Sequence, residues 1–246
     1  MMAALAILFG VLCLGANVLG GGIALRTSRS QKGMAYAVAG GAGFMLAVAL
    51  LEMLPNGLAR TPHAPLLALV GYGLIHLCEH VFTPHFHFGE EVHAEAVVGT
   101  AASMAALAGL VAHSFVDGLS VAGGVASGSA LGMLIFLGVA LHSIPAGFTM
   151  GSMMLAAGRS GRAAILSSLL IGTATVIGAC SIFVIGAGDA AGVGVVLSLS
   201  AGSFIYIAAT DLIPLVNALE GRHTTWAILG GVGLFYGVSR ALEAVK

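Results

Sequence analysis

His113 and Asp117 stand four residues apart in His113-Ser114-Phe115-Val116-Asp117-Gly118, within an apolar run from about 97 to 126. On an α-helix this spacing puts imidazole and carboxylate on one face, one turn apart. A carboxylate at the centre of a bilayer span costs at least ~2.5 kcal/mol, so packing alone is a poor reason to keep it. The next apolar run carries His142-Ser143-Ile144-Pro145-Ala146-Gly147. Two neutral imidazoles and a carboxylate (His113, Asp117, His142) suit a borderline divalent cation, zinc first, with iron, manganese or cadmium open. Water or a soft neighbour would complete the coordination. Met45, at mid-depth in an earlier apolar run, offers a thioether or lines the route. Ser114 and Ser143 are either weak oxygen ligands or small residues bonding to their own helix backbone. Pro145 cannot donate a backbone hydrogen bond and frees the carbonyl of Leu141, which a membrane tolerates beside a polar cavity. The plain alternative is a buried His–Asp bond that glues helices together. That fits a lone histidine better than this set.

These residues need helices to position them. The chain has 246 residues, 59% hydrophobic and 8% charged, with mean hydropathy +1.05. Soluble domains carry about 25% charged residues, so the fold class is an all-α polytopic membrane bundle. A span needs about 20 apolar residues. That rule gives eight transmembrane helices, near 2–25, 34–55, 65–83, 96–126, 129–157, 162–187, 192–217 and 223–243. The short links between them predict a single domain over 1–246, in contact with the lipid bilayer. The thirty-seven glycines suit close helix approach, and small residues on many spans are compatible with a homodimer. Net charge is −1 with no basic patch, which argues against nucleic acid. Cys13, Cys78 and Cys180 lie in apolar runs without C-x-x-C spacing and read as small core residues. No basic segment precedes the first apolar run, so it reads as a span rather than a cleaved signal. Arg26, Arg29, Lys32, Arg159, Arg162 and Arg222 fall on one side, against Arg60, Arg240 and Lys246 on the other. The positive-inside rule then places both termini outside. The lean loops suggest a bacterial inner membrane.

Between the third and fourth spans lies His85, His87, Glu90, Glu91 and His93, preceded by His76, Glu79 and His80. Histidine-rich tracts suggest metal binding, here as a weak accessory site on the pathway. The bland reading is a solvated acidic loop. His76-Leu77-Cys78-Glu79-His80 also has H-x-x-E-H spacing, but it falls where a span leaves the membrane, a poor place for a protease centre.

An internal repeat links the second and seventh spans. Gly43–Pro55 reads GFMLAVALLEMLP and Gly202–Pro214 reads GSFIYIAATDLIP. Each has an acid nine residues after the glycine (Glu52, Asp211) and a proline three further on. The fourth and fifth spans share His-Ser and a glycine five after the histidine (Gly118, Gly147). With eight spans, both pairs run in opposite directions. Inverted repeats suggest a transporter with a midplane site where the halves meet. That geometry puts Glu52 near the outer mouth and Asp211 near the inner one. Each reads as a metal relay, a proton acceptor or an interfacial acid.

HSFVDG, HSIPAG, GFMLAVALLEMLP and AGSFIYIAATDLIP together resemble the ZIP family of divalent metal transporters over nearly the whole chain. The resemblance implies eight spans, outside termini, a histidine-bearing loop after the third span and frequent dimerisation. Many members hold a two-metal centre, and this sequence departs from its pattern. Ser114 replaces an asparagine, Ser143 a carboxylate and Ala146 a bridging glutamate. The sixth span, Ala163 to Ala187, has no acid, with Thr175 the best match to the family's position. The resemblance therefore carries over to His113, Asp117 and His142, and implies a mononuclear centre.

The expected function is transport of a divalent metal toward the cytoplasm, and not catalysis. A passing ion must be bound weakly enough to leave. The rival is an intramembrane zinc-dependent hydrolase, which needs a further acid or base near the metal. The sequence offers no second carboxylate on the same helical faces. A third reading is a structural or regulatory protein with a static metal.

Overall fold

In the computed structural model the described residues are 2–26, 31–77, 100–184, 190–220 and 222–244. All eight expected helices are present. They are α1 (Met2–Arg26), α2 (Gln31–Val48, continued by Ala49–Met53 and Leu54–Leu58), α3 (Ala64–Leu77) and α4 (Thr100–Ser127). After them come α5 (Ser129–Ala156), α6 (Gly161–Val184), α7 (Ala190–Tyr206, continued by Ile207–Leu212 and Ile213–Glu220) and α8 (Arg222–Ala244). Among the described residues six helices are long and apolar enough to cross a membrane: α1, α2, α4, α5, α6 and α7. The described part of α3 has 14 residues, and α8 carries Arg240 and Glu243 toward its end. The chain reverses between α4 and α5 at the single residue Gly128, whose φ of 147° suits glycine alone. The third-loop residues Glu79, His80, His85, His87, Glu90, Glu91 and His93, together with Cys78, lie outside the described residues.

The repeat seen in sequence is built into the backbone. Both repeat acids sit in π-helical turns, Ala49–Met53 and Ile207–Leu212. At each turn an N–H reaches back five residues, Leu54 to Ala49 and Ile213 to Ala208. The cause is the proline that follows, Pro55 or Pro214. Lacking an N–H, it cannot continue the normal ladder, and the wider turn absorbs the defect. The sequence predicted ordinary helix at both places.

Helix pairing repeats too. α1 packs on α5 as α6 packs on α4, and α8 packs on α2 as α3 packs on α7. The contacts are made by reciprocal glycines. A Cβ on Gly43 would strike the Ile228 carbonyl, and one on Gly231 the Gly40 carbonyl. In the mate, Gly202 meets Ala68 and Gly71 meets Leu199. Likewise Gly147 meets Asn17 and Gly20 meets Ile144, while Gly118 meets Thr175 and Gly178 meets Phe115. In every pair the glycine and the partner carbonyl on the same helix are three residues apart. Inverted symmetry thus relates α1 to α6, α2 to α7, α3 to α8 and α4 to α5. Two groups result: α1, α4, α5 and α6 interlock backbone to backbone, as do α2, α3, α7 and α8.

Between the groups the approach is looser: the glycines there meet side chains, and a Cβ on Gly41 of α2 would meet the Leu141 backbone of α5 only at an ordinary 3.7 Å. Gly138 of α5 has the side chains of Met45, Phe44 and Phe204 in ordinary van der Waals contact, and Gly123 of α4 faces the Val196 side chain of α7. Phe44, Met45, Ile135, Leu197 and Phe204 fill this seam and are fully buried.

Candidate metal centre

α4 and α5 deliver the two motifs to one point. His113 and Asp117 project from the same face of α4, and His142 comes across from α5. Both histidines aim Nε2 at the same carboxylate oxygen: His113 Nε2 to Asp117 Oδ2 is 3.2 Å, and His142 Nε2 to Asp117 Oδ2 is 3.2 Å. The imidazole rings are 5.5 Å apart. One ligand atom from each residue lies within 4.8 Å of the others, close enough to share one ion. Asp117 is 1% exposed and His142 5%.

The hydrogen bonds decide the chemistry. His142 Nδ1 lies 3.0 Å from the Gly138 carbonyl. A carbonyl only accepts, so Nδ1–H is the donor. In a neutral imidazole this leaves Nε2 bearing a lone pair, aimed at a carboxylate. Two acceptors at 3.2 Å need a cation between them, either a proton or a metal ion. The Gly138 bond also fixes the ring, as the outer partners of metal-bound histidines do. Asp117 Oδ1 and His113 Nδ1 are buried without a hydrogen-bond partner, so the cluster retains unused capacity. A metal must displace whatever proton lies between imidazole and carboxylate. Zinc binding is therefore expected to release protons and to weaken as pH falls, by up to about tenfold per pH unit for each proton displaced. Calorimetry in buffers of different ionisation enthalpy measures that release directly.

The other expected residues fall in several places. Ser143 is buried and its Oγ donates to the Val139 carbonyl at 2.8 Å. This is the backbone bonding that a serine in a helix adopts by default. Ser114 is buried on α4, next to His113 in sequence. Met45 is fully buried on α2, packed at Gly138, one turn from His142. Glu52 is not drawn into the cluster; its carboxylate accepts from Ser239 Oγ of α8 at 3.3 Å and from Asn56 Nδ2 at 3.4 Å. Asp211 is buried in α7's π turn. His76 is exposed on α3, with its ring against Tyr206.

Two buried polar side chains were not singled out, or were noted only through the resemblance: Asn17 on α1 and Thr175 on α6. Each is 1% exposed and each has an oxygen without a partner. The signal for Asn17 was available, since it is the one amide in the first apolar run.

A family model described as ZIP Zinc transporter matches residues 84–239, more than half of the chain. The chain belongs to the ZIP zinc transporter family. Among ZIP relatives, the human zinc transporter SLC39A7 is 31% identical over 137 residues, 51% of this chain and 29% of that protein. Zinc transporter ZIP9 of Micropogonias undulatus is 26% identical over 175 residues, 68% of this chain and 56% of that protein. Zinc transporter zipt-7.2 of Caenorhabditis elegans is 31% identical over 133 residues, 50% of this chain and 29% of its own length. The match thus spans under a third of SLC39A7 and a little over half of ZIP9. Family membership agrees with the helical, multi-pass membrane architecture and with the resemblance read from HSFVDG and HSIPAG.

Proposed function

We propose that this chain, acting as one domain over 1–246, moves a divalent metal ion, zinc first, across a membrane toward the cytoplasm. The ion passes through a mononuclear site made by His113, Asp117 and His142. The observation that carries this reading is the convergence of two imidazole nitrogens on one buried carboxylate oxygen. A single carboxylate leaves a bound divalent ion under-neutralised, which favours release over trapping. The repeat position of Asp117 on α5 is Ala146, which offers no ligand, and this supports one ion rather than two.

Movement is supported by the two helix groups. Each is locked internally by close glycine–backbone contacts, whereas across the seam the glycines meet side chains, or at Gly41 the Leu141 backbone at ordinary van der Waals distance. Such a seam can shift as packed helices do in shear motions. Rocking one group against the other would expose the site alternately to the two sides. On this reading Ser114, Ser143 and Met45 line the route. Glu52 serves near the outer mouth and Asp211 near the inner one, as relay or proton-accepting acids, with the histidine loop beyond. Both termini lie outside, the membrane is a bacterial inner membrane and the protein pairs as a homodimer. A hydrolase would need a base beside the metal, and among the described residues Asp117 is the carboxylate of the cluster.

Zinc flux into proteoliposomes tests the reading. Wild type is expected to fill them in a zinc-dependent manner, and His113→Ala and His142→Ala to fall to about the protein-free background. Flux unchanged by His142→Ala removes the site assignment. Zinc bound at both histidines without flux indicates a static or hydrolytic site instead.

A further inference from the structure

Asn17 lies on α1, a helix that contributes nothing to the His113–Asp117–His142 set, yet it is carried into the same region. Its backbone is the surface on which Gly147 of the HSIPAG motif packs. One turn away on the same helix, buried Cys13 lies close to Ser143, the sequence neighbour of His142, and within electrostatic reach of Asp117. Asn17 Nδ2 donates to the Cys13 carbonyl at 3.1 Å. Because a carbonyl can only accept, that bond fixes which end of the amide is nitrogen. The free end is then Oδ1, a pure acceptor, buried and without a partner. Native interiors rarely leave such an atom unsatisfied, and one that persists calls for an ion or a water.

The inverted repeat sharpens the point. Asn17 is the carbonyl met by Gly147, and Thr175 is the carbonyl met by Gly118. The two residues are therefore repeat mates, one beside each motif glycine. Thr175 Oγ1 is also buried and without a partner. Two independent helices thus present an unused oxygen at the same symmetry position, each flanking one motif-bearing helix. Helix packing alone gives no reason for that coincidence.

We propose that Asn17 Oδ1 is a ligand position on the translocation path, accepting the divalent cation as it leaves the His113–Asp117–His142 set. A neutral amide oxygen is a weak, hard donor. It lowers the cost of dehydrating the ion without holding it, which suits a step beside a histidine-rich site. The proposal rests on the transport reading, but its test separates from it. Purified full-length wild type, Asn17→Ala and Asn17→Asp are titrated with Co²⁺, read by its visible absorption, and assayed for zinc flux in proteoliposomes. Asn17→Asp is expected to tighten Co²⁺ at least about tenfold, because a carboxylate replaces the amide oxygen in nearly the same shape. Asn17→Ala is expected to bind Co²⁺ within about threefold of wild type while flux drops about tenfold. Unchanged or weaker Co²⁺ binding in Asn17→Asp overturns the proposal, since an oxygen that only holds a water or packs gives that result. Wild-type flux in Asn17→Ala overturns it as well. Absence of flux in wild type itself would count against transport, while the ratio of Asn17→Asp to wild-type affinity would still report on Asn17.

Discussion

Asp117→Ala is expected to abolish zinc transport and to weaken zinc binding by at least about 100-fold. Even outer partners of metal ligands are worth roughly 10–100-fold in affinity, and Asp117 is the one anion of the cluster among the described residues. Without it, two neutral imidazoles face an ion with two uncompensated charges in a low-dielectric interior. Burying an unpaired charge costs several kcal/mol. Asp117→Asn isolates this effect, because it keeps the shape and removes only the charge. The metal-free variant should lose no stability and could gain some, since Oδ1 is already buried without a partner. The zinc-dependent gain in melting temperature should vanish. In wild type that gain corresponds to about 2.7 kcal/mol when zinc is at 100 times its Kd. Thermal unfolding of both proteins with and without zinc, beside equilibrium dialysis, measures each part. A zinc-dependent shift that survives in Asp117→Asn would show that the ion binds elsewhere.

Gly147→Val and Gly202→Val are expected to prevent stable folding, whereas Gly22→Ala should be close to neutral. At Gly147 an added carbon would collide with the backbone of Asn17, and at Gly202 with the backbone of Ala68 and Tyr72. Backbone cannot swing aside as a side chain can. Overpacking a core costs typically about 1–3 kcal/mol, and here the helices must separate, which also forfeits the close approach that drives association in a membrane. Gly22 has nothing near the position of an added carbon. Fluorescence-detected gel filtration of detergent extracts reports folded yield, and a thermal ramp reports stability. Equal behaviour of the three variants would contradict the interlocked packing.

Much of the architecture was legible in the chain. Eight apolar runs became eight helices, because backbone groups in lipid leave helix as the economical choice. HSFVDG and HSIPAG were legible as a pair, because His113 and Asp117 at helical spacing share a face whatever surrounds them. The repeat glycines and prolines were visible as letters. Their meaning was not. That Gly43 and Gly202 lock against neighbouring backbones, and that Pro55 and Pro214 widen the preceding turns, depends on which helix lies alongside.

The sequence by itself determined the helical membrane class, the two motif helices and the donor types, since these follow from composition and from spacing along one helix. Tertiary structure alone decided that both imidazoles meet one carboxylate oxygen and that the Gly138 carbonyl sets the His142 tautomer. It alone brought α1 and α6 to the motif glycines, with Asn17 and Thr175 each keeping a free oxygen. It also set the Glu52 carboxylate against Ser239 of α8 and Asn56 of its own helix. The physical reason is the same throughout. Spacing fixes what shares a face of one helix, but which faces meet is settled by packing between helices distant in sequence.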